Sequence, residues 1–476
     1  IQIRFVEFSL KHFPFSFERS LFPMNNRDEF TILISADLKI ALEKGEDEFA
    51  REILSHLHPA DIADIVESLE PKMGAKVFSL LDQEKRVDTF EYLDDEVQEH
   101  LLEYLPAQVI LPVIEEMSSD DRVDLFKSLP EEEQDSLLES LPKEEQEDVK
   151  KLASYPEETA GAVMTTEYVA IPAHFQVQEA LEFIRKVASQ KETIYYLYVV
   201  DENHRLQGHV SLRDLVLAHP EEQVSKIMNP NVIAVNVMDD QEEVARIIQK
   251  YDFLAIPVVD DDYKMVGIVT HDDIMDVMVS ENTEDVHKMG AVSPLEDNYM
   301  ETPFWTIVQK RVFWLAILFI GEMFTSTALH HFEAVLDKYI MLVFFIPLII
   351  SAGGNAGSQS STLVVRGMAL GTITLRDWLH IISRELSLGL SMGFLLGILG
   401  LGRAFLLGSS FPIAIIVMLT VLLVVMVGAC IGALIPMVLK RVGLDPAISS
   451  APFVASFVDV IGIVLYFLVA KTVLGI

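Results

Sequence analysis

The chain has 476 residues, 50% of them hydrophobic, and a formal net charge of −36. This length exceeds one ordinary hydrophobic core, so several domains are expected. The acidic charge disfavours nucleic acid and anionic lipid as partners, and a single cysteine, Cys430, excludes a disulfide framework.

The charge is divided unevenly along the chain. From Pro303 onward there are ten Lys/Arg and seven Asp/Glu, a net of +3, so the first 302 residues carry −39. A strongly acidic soluble part therefore precedes a hydrophobic part that is nearly neutral. Such a surface attracts cations; solubility alone is the simpler alternative, but the imbalance is large for that.

Residues 1–27 have scattered charges and neither a continuous apolar core nor a cleavage site, so they do not resemble a signal peptide. We assign them no function, and Met24 is an alternative first residue. Residues 28–155 repeat short segments with apolar residues at three- and four-residue spacing, several ending in Leu-Pro, which stops a helix. This pattern predicts an all-α superhelical domain of stacked short helices.

Residues 156–286 contain an internal repeat. MTTEYVAI and the residues through VSLRDLV resemble MNPNVIAV and the residues through VTHDDIM. From Val200/Val259 onward the matched pairs, which include Gly208/Gly267 and Asp214/Asp273, share one offset of 59. β-branched runs alternate with amphipathic stretches in each copy, which predicts helix, strand, turn, strand and helix twice. This α/β repeat resembles a tandem pair of CBS domains.

Residues 287–311 form a charged linker that is expected to contain a connecting helix along the membrane surface, since Phe304 and Trp305 are typical interface anchors. From residue 312 to 476 the sequence predicts a transmembrane domain. Its five expected spans are 312–330, 339–362, 381–407, 411–439 and 451–470.

Basic residues predict the orientation of these spans. Lys310 and Arg311 precede the first span, three arginines lie between the second and third, and Lys440 and Arg441 follow the fourth. All fall on one side if the N-terminal half is cytoplasmic, which puts the C-terminus outside the plasma (inner) membrane.

Two spans carry polar groups suited to a cation. In the fifth, Asp459 lies on a stripe with Ala455 and Gly462, and a carboxylate at membrane depth marks a functional site by default. In the second, Gly354 and Asn355 belong to SAGGNAGSQSS, which we expect to loosen the helix and expose carbonyls. The alternative is a tight helix crossing built on small residues.

These features together resemble the MgtE family of Mg²⁺ channels. The order of domains matches, as do the segments QEEVARIIQKYDF, TEDVHKMGAV, GGNAGSQ and LDPAISSAPFVASFVDVIG. The resemblance implies a homodimer in the lipid bilayer, a pore lined by the second and fifth spans, and an ion held by Asp459 and the Ala455 carbonyl. Pore-lining positions would include Gly354, Asn355 and Gly462.

The resemblance also implies regulatory sites in the cytoplasmic part. A nucleotide, with ATP in a regulatory role as the candidate, would contact Tyr196, Arg213 and Asp214. Cytoplasmic Mg²⁺ would bind at a larger set of carboxylates: Asp88, Asp120, Asp240, Glu242, Asp252, Asp273, Asp276, Glu281, Glu284, Asp285 and Asp445.

Two residues depart from the family pattern, Ala451 where members can have Asn, and Glu322, an acid that some members lack. The expected function is Mg²⁺ import closed by internal Mg²⁺, with no enzymatic activity, because no catalytic motif is present. Three alternatives remain open: a metal sensor that does not transport, a less selective Co²⁺ or Mn²⁺ transporter, and a CBS-bearing anion channel, which Asp459 argues against.

Overall fold

The structure, a computed structural model, describes residues 27–295, 299–300 and 302–475. Residues 1–27, to which the sequence analysis assigned no function, lie almost wholly outside the described residues. Two compact units are present, with their boundary between Val277 and Met278.

Ten short helices open the first unit within its described residues. Most of them pack on the next helix but one, which produces a superhelix. Their bounds are α1 Arg27–Lys44, α2 Asp47–Ser55, α3 Pro59–Glu67, α4 Pro71–Ser79, α5 Gln83–Glu91, α6 Asp95–Tyr104, α7 Ala107–Glu116, α8 Ser119–Ser128, α9 Glu131–Ser140 and α10 Lys143–Leu152.

Proline and leucine set these boundaries as the sequence predicts. Leu105 is extended at the end of α6, because the residue before a proline avoids the helical region, and Pro106 precedes the first residue of α7. The fully buried rings of Phe78 and Phe90 pack edge to face, with centroids 5.9 Å apart.

The rest of the first unit consists of two similar three-stranded sheets with helices. In each sheet the first strand pairs parallel to the second, and the second pairs antiparallel to the third. The elements are β1 Ala170–Pro172, α11 Val177–Val187, β2 Tyr196–Val200, β3 Leu206–Ser211, α12 Leu212–Leu217, α13 Val224–Ile227, β4 Val235–Asn236, α14 Gln241–Tyr251, β5 Ala255–Val259 and β6 Met265–Thr270.

The constant offset of 59 residues corresponds to real structural equivalence. Both sheets have a register shift at matched positions, between Val199 and Val200 and between Val258 and Val259. Gly208 and Gly267 are equally matched: a Cβ at either would lie 2.9 or 2.8 Å from a backbone carbonyl oxygen. Close backbone approach explains why both copies have glycine there.

The connecting helix begins earlier than the sequence suggested. Helix α15, His271–Met289, continues directly from β6, and the next described helix is α16, Phe304–His331. Gly290 follows α15, and Pro303 precedes the first turn of α16. Phe304 and Trp305 therefore lie in the first turn of the first spanning helix, not on a separate surface helix.

Five described helices are long and apolar enough to cross a membrane, and in the second and third a short 3₁₀ turn precedes the α-helix. These five spans are Phe304–His331, Ile340–Ala369, Leu375–Leu406, Phe411–Arg441 and Ala451–Leu474. Their α-helical parts, with a short helix α17 between the first two, are α16, α17 Glu333–Lys338, α18 Ile346–Ala369, α19 Trp378–Leu406, α20 Phe411–Arg441 and α21 Ala451–Leu474.

The glycine-rich segment does not break α18, so the expectation of a loosened helix is wrong. A Cβ at Gly428 of α20 would lie 2.5 Å from the Gly353 carbonyl oxygen, and one at Gly432 would lie 2.0 Å from that of Gly357. The small residues let the two backbones touch, and this contact stabilises helix association in membranes.

Candidate ion pathway and regulatory sites

Asp459 lies beside the glycine-rich segment of α18. A Cβ built on Gly354 would be 3.4 Å from Asp459 Oδ1 and 3.2 Å from the Cβ of Ala455, one helical turn earlier. The structure thus brings together Gly354, Ala455 and Asp459, which the sequence had placed in two separate spans. The Asp459 side chain is half-buried in the single chain, so it remains partly open for another group.

The other two predicted pore positions, Asn355 and Gly462, have different surroundings from Gly354. Asn355 is exposed, and its Nδ2 donates to Ser351 Oγ at 3.2 Å on the same helix. Gly462 is buried, and a Cβ there would meet Val424 of α20 at 3.3 Å. Gly462 therefore serves helix packing in this chain, whereas Asn355 presents a polar side chain on the open face of α18.

Serine side chains fix α18 to the start of α21. Ser358 Oγ donates to the Ala451 carbonyl oxygen at 3.0 Å, and Ser361 Oγ donates to that of Ser449 at 2.9 Å. Ser450 then accepts a bond from the Phe453 backbone N–H as the N-cap of α21. These bonds hold the segment that leads into the fifth span against the second span.

Two further acidic residues lie within the spans. Ser456 Oγ donates to Glu322 Oε1 at 3.2 Å, and Asp459 follows Ser456 by three residues on the same helix. Glu385 of α19 is buried and accepts a 2.6 Å bond from Ser360 Oγ of α18. Sequence reasoning missed Glu385, although an acid inside an apolar span was a visible signal.

The end of α15 is tied to the loop before α21. Lys288 Nζ lies 2.6 Å from Glu284 Oε1 and 2.7 Å from Asp445 Oδ2, while Asp445 Oδ1 accepts from the Ala447 N–H at 2.8 Å. Burial opposes the charge of Lys288, but the hydrogen bonds that its ammonium group donates to Asp445 and Glu284 raise its pKa above the usual value. Nearby, Arg366 of α18 bonds the Asn282 side chain at 3.3 Å.

Carboxylates gather in the first unit where α8 meets the second sheet. Ser119 Oγ lies 3.0 Å from Thr165 Oγ1 and accepts from the Thr166 N–H at 2.8 Å. These contacts hold the first turn of α8 against the segment that precedes β1. Burial raises the pKa of Asp120, with Asp121 adding repulsion, and burial raises the pKa of Asp273, with Asp120 adding repulsion. The structure therefore brings together two of the predicted sensor residues, in different segments of the chain.

The neighbours of this pair are also acidic. Burial raises the pKa of Glu91 to about 7, with Asp121 adding repulsion. Burial likewise raises the pKa of Asp121 to about 6, with Asp273 adding repulsion. We call Glu91, Asp120, Asp121 and Asp273 the acidic cluster.

The remaining predicted sensor residues are dispersed over other elements. Asp240 caps α14 by accepting from the Glu242 N–H at 2.8 Å, Glu242 pairs with Arg246 at 2.6 Å, and Asp252 ends that helix with a positive φ of 53°. Partial burial raises the pKa of Asp88 on α5 and of Asp276 on α15. Glu281 and Asp285 lie on α15 with Glu284.

The three predicted nucleotide residues line one cavity. Its volume is about 850 Å³, and Tyr196, Arg213 and Asp214 surround it together with Tyr195 and Ser211. Ser211 Oγ donates to Asp214 Oδ2 at 2.5 Å and accepts from the Asp214 N–H at 3.1 Å, which forms a capping box at the start of α12. Asp214 thus has a structural role as well as a place in the cavity wall.

Comparisons with known proteins identify the family. Residues 346–469 match a model described as a divalent cation transporter, residues 57–158 match the MgtE intracellular N domain, and residues 160–221 and 224–280 match the CBS domain. The magnesium transporter MgtE of Thermus thermophilus is 41% identical over 327 residues, which cover 69% of this chain and 72% of that protein. The chain belongs to the MgtE family.

Two further proteins are similar to this chain. The magnesium transporter MgtE of Bacillus subtilis is 32% identical, with 68% of this chain and 71% of that protein covered. A crystal structure of the cytosolic domain of the Mg²⁺ channel MgtE in complex with ATP is 40% identical, covers 51% of this chain and 99% of that chain, and has a TM-score of 0.49. The predicted family and the predicted succession of helical domain, CBS pair and spanning helices are confirmed.

The donor set of this MgtE chain suits a hydrated ion better than a dehydrated one. Within the described ranges, no three His, Cys, Asp or Glu side chains converge into a metal cage. Mg²⁺ dehydrates reluctantly and commonly uses one or two carboxylates while it keeps several waters. Asp459 in the spans and the acidic cluster in the first unit both fit that mode of binding.

The raised pKa values predict a pH-dependent stability. Between pH 4 and pH 7 the folded cluster keeps protons that the unfolded chain has released, so without divalent ions stability falls as pH rises through this window. We expect the full-length protein in detergent and EDTA to melt several degrees lower at pH 8 than at pH 5, with 10 mM Mg²⁺ restoring most of the loss. Thermal melts with and without Mg²⁺ measure both effects.

The variant Asp120→Asn with Asp273→Asn provides the test of this cause. It should show a clearly smaller pH response than wild type, because only the buried Glu91 and Asp121 remain of the cluster, and it should respond less to Mg²⁺. Glu202→Gln with Glu221→Gln, which removes two exposed charges, is the matched control and should behave like wild type. An unchanged pH response in the Asp120/Asp273 variant would contradict the assignment.

Proposed function

We propose that this chain forms a homodimeric channel that imports Mg²⁺ through the plasma membrane, past Asp459 and the Ala455 carbonyl. The observation that carries the proposal is the placement of Asp459 against Gly354, where two spanning helices leave a carboxylate partly open at membrane depth. Such residues mark ion paths by default. Relatives 41% and 32% identical are named magnesium transporters.

A dimer follows from the number of ligands. One chain supplies one half-open Asp459, and two chains around a common axis would supply two carboxylates to one hydrated ion. Closed two-fold symmetry is the commonest arrangement of homo-oligomers. With the basic loops in the cytoplasm, the acidic N-terminal half is cytoplasmic and the C-terminus is outside.

Removal of the Asp459 charge tests the path directly. Asp459→Ala should reduce Mg²⁺ flux in liposomes to the level of protein-free vesicles, because it removes the carboxylate that holds the ion. Asp459→Asn should retain some flux with weaker discrimination against Co²⁺ and Mn²⁺. Asp337→Asn, the same change at an exposed residue of α17, is the control. Normal conduction by Asp459→Ala would show that the path lies elsewhere.

Closure by internal Mg²⁺ is the second part of the proposal. Carboxylates of the acidic cluster repel one another, and a divalent ion between α8 and the second sheet removes that repulsion. Asp445 and Glu284, expected to share Mg²⁺, already share the Lys288 ammonium group. The acidic cluster is therefore where we expect Mg²⁺ to have the larger effect.

The gating variant is Asp120→Asn with Asp273→Asn. A ligand shifts a two-state equilibrium only by its differential affinity for the two states, so loss of the cluster should leave the channel open at internal Mg²⁺ concentrations that silence wild type. Flux at graded internal Mg²⁺ measures this, with Glu202→Gln plus Glu221→Gln as the control. Closure of the variant at the wild-type concentration would refute gating by the acidic cluster while the transport assignment stands.

Regulatory binding of ATP is the third part. The cavity beside β3 offers Arg213 for phosphate and Tyr196 for a base. Because Asp214 caps α12, Arg213→Met is the cleaner variant. We expect it to weaken ATP binding roughly tenfold or more, since hydrogen bonds to charged groups contribute about 1.5–3 kcal/mol. Calorimetry on the full-length protein, with Lys226→Met as the control, measures this; absence of ATP binding by the wild type would end the idea.

A further inference from the structure

Glu322 is a second carboxylate in the spanning region. It lies on α16 between the apolar residues Phe319 and Phe324, and its side chain is exposed in the single chain. A charged side chain facing lipid at that depth is costly, so intramembrane acids almost always face a bundle interior or a water-filled cavity. The exposure of Glu322 therefore indicates that its side of α16 does not face lipid in the membrane.

Contacts with α21 show which surface this is. Ser456 Oγ donates to Glu322 Oε1 at 3.2 Å, and a Cβ at Gly321 would be 3.5 Å from the Cβ of Ser456. Asp459 follows Ser456 by three residues, on the same face of α21. Glu322 is thus held beside the acid that we place in the ion path.

Carboxylates of Glu322 and Asp459, both beside Ser456, repel each other unless a cation or proton lies between them, and this repulsion grows as the surroundings lose water. The Lys and Arg side chains of α16 and α21 do not supply a cation. Lys310 and Arg311 lie more than ten residues before Glu322 in α16, and Lys471 lies twelve after Asp459 in α21, which along a helix is about 16–18 Å.

We propose that Glu322 is a specificity-determining residue of the ion path, which accepts hydrogen bonds from the waters of the Mg²⁺ that Asp459 holds. Ser456 positions the Glu322 carboxylate. Two negative charges per chain favour a divalent over a monovalent ion, because the attraction scales with the charge of the cation. This inference rests on the proposed path past Asp459.

The test compares Glu322→Gln, Glu322→Asp and wild type in liposomes, with Glu333→Gln as the matched control. Glu333 is an exposed glutamate of α17, outside the spanning helices, and it pairs with His330 in the last turn of α16. We expect Glu322→Gln to raise the half-saturating Mg²⁺ concentration roughly tenfold, since one charge is lost a few Å from the ion. Maximal flux should remain, Na⁺ flux relative to Mg²⁺ should rise, and Glu322→Asp should restore both properties.

Each outcome decides between roles. Unchanged Mg²⁺ affinity and unchanged Na⁺ flux in Glu322→Gln would overturn the proposal and leave Glu322 a packing residue. Loss of all flux in both Glu322 variants, with lowered melting temperatures, would also overturn it. Ser456→Ala keeps both carboxylates and removes only the hydrogen bond to Glu322, so we expect a smaller rise in the half-saturating Mg²⁺ concentration. No rise in this variant would refute the positioning role of Ser456.

Failure of the transport assignment is distinguishable from these results. If wild type carries no Mg²⁺, or if Asp459→Ala conducts normally, the path past Asp459 is wrong. If wild type conducts, Asp459→Ala does not, and Glu322→Gln matches wild type, only the role of Glu322 fails.

Discussion

The backbone contact between α18 and α20 is the constraint on which the candidate ion path depends. Gly428 and Gly432 lie against the carbonyl groups of Gly353 and Gly357, at distances that leave no room for a Cβ. Because overpacking forces backbone shifts, a larger residue at any of these positions would push α18 outward. Gly354 lies in the same helical turns, so this contact also fixes how near α18 comes to Asp459.

Acid repulsion is the second organising interaction, and the chain handles it differently in its two units. In the second unit the carboxylates of Glu284 and Asp445 share Lys288. In the first unit the carboxyl groups of the acidic cluster have raised pKa values, which means that ionising each of them lowers the stability of the fold. A divalent ion from solution should therefore stabilise the acidic cluster most, because its binding removes the repulsion between the carboxylates.

Local patterns predicted the elements well, whereas contacts between distant segments could not be predicted. Leu-Pro boundaries and the 59-residue offset are short-range signals, and both correspond to structure. The glycine-rich segment was misjudged because small residues suit both a loosened helix and a tight crossing; the partner glycines Gly428 and Gly432 decide between them. Glu322 and Ser456 are 134 residues apart, and periodicity carries no information about such pairs.

A continuous set of bonds joins the connecting helix to the acid in the fifth span. Lys288 at the end of α15 holds Asp445, whose other oxygen starts the short turn that leads to Ser449 and Ser450. Ser361 holds Ser449 from α18, and Ser450 caps α21, which carries Asp459 two turns later. All of these residues belong to one compact unit. Displacement of α15 would therefore act on the start of α21 through directed hydrogen bonds, which would give the proposed gating a physical route to the candidate ion path.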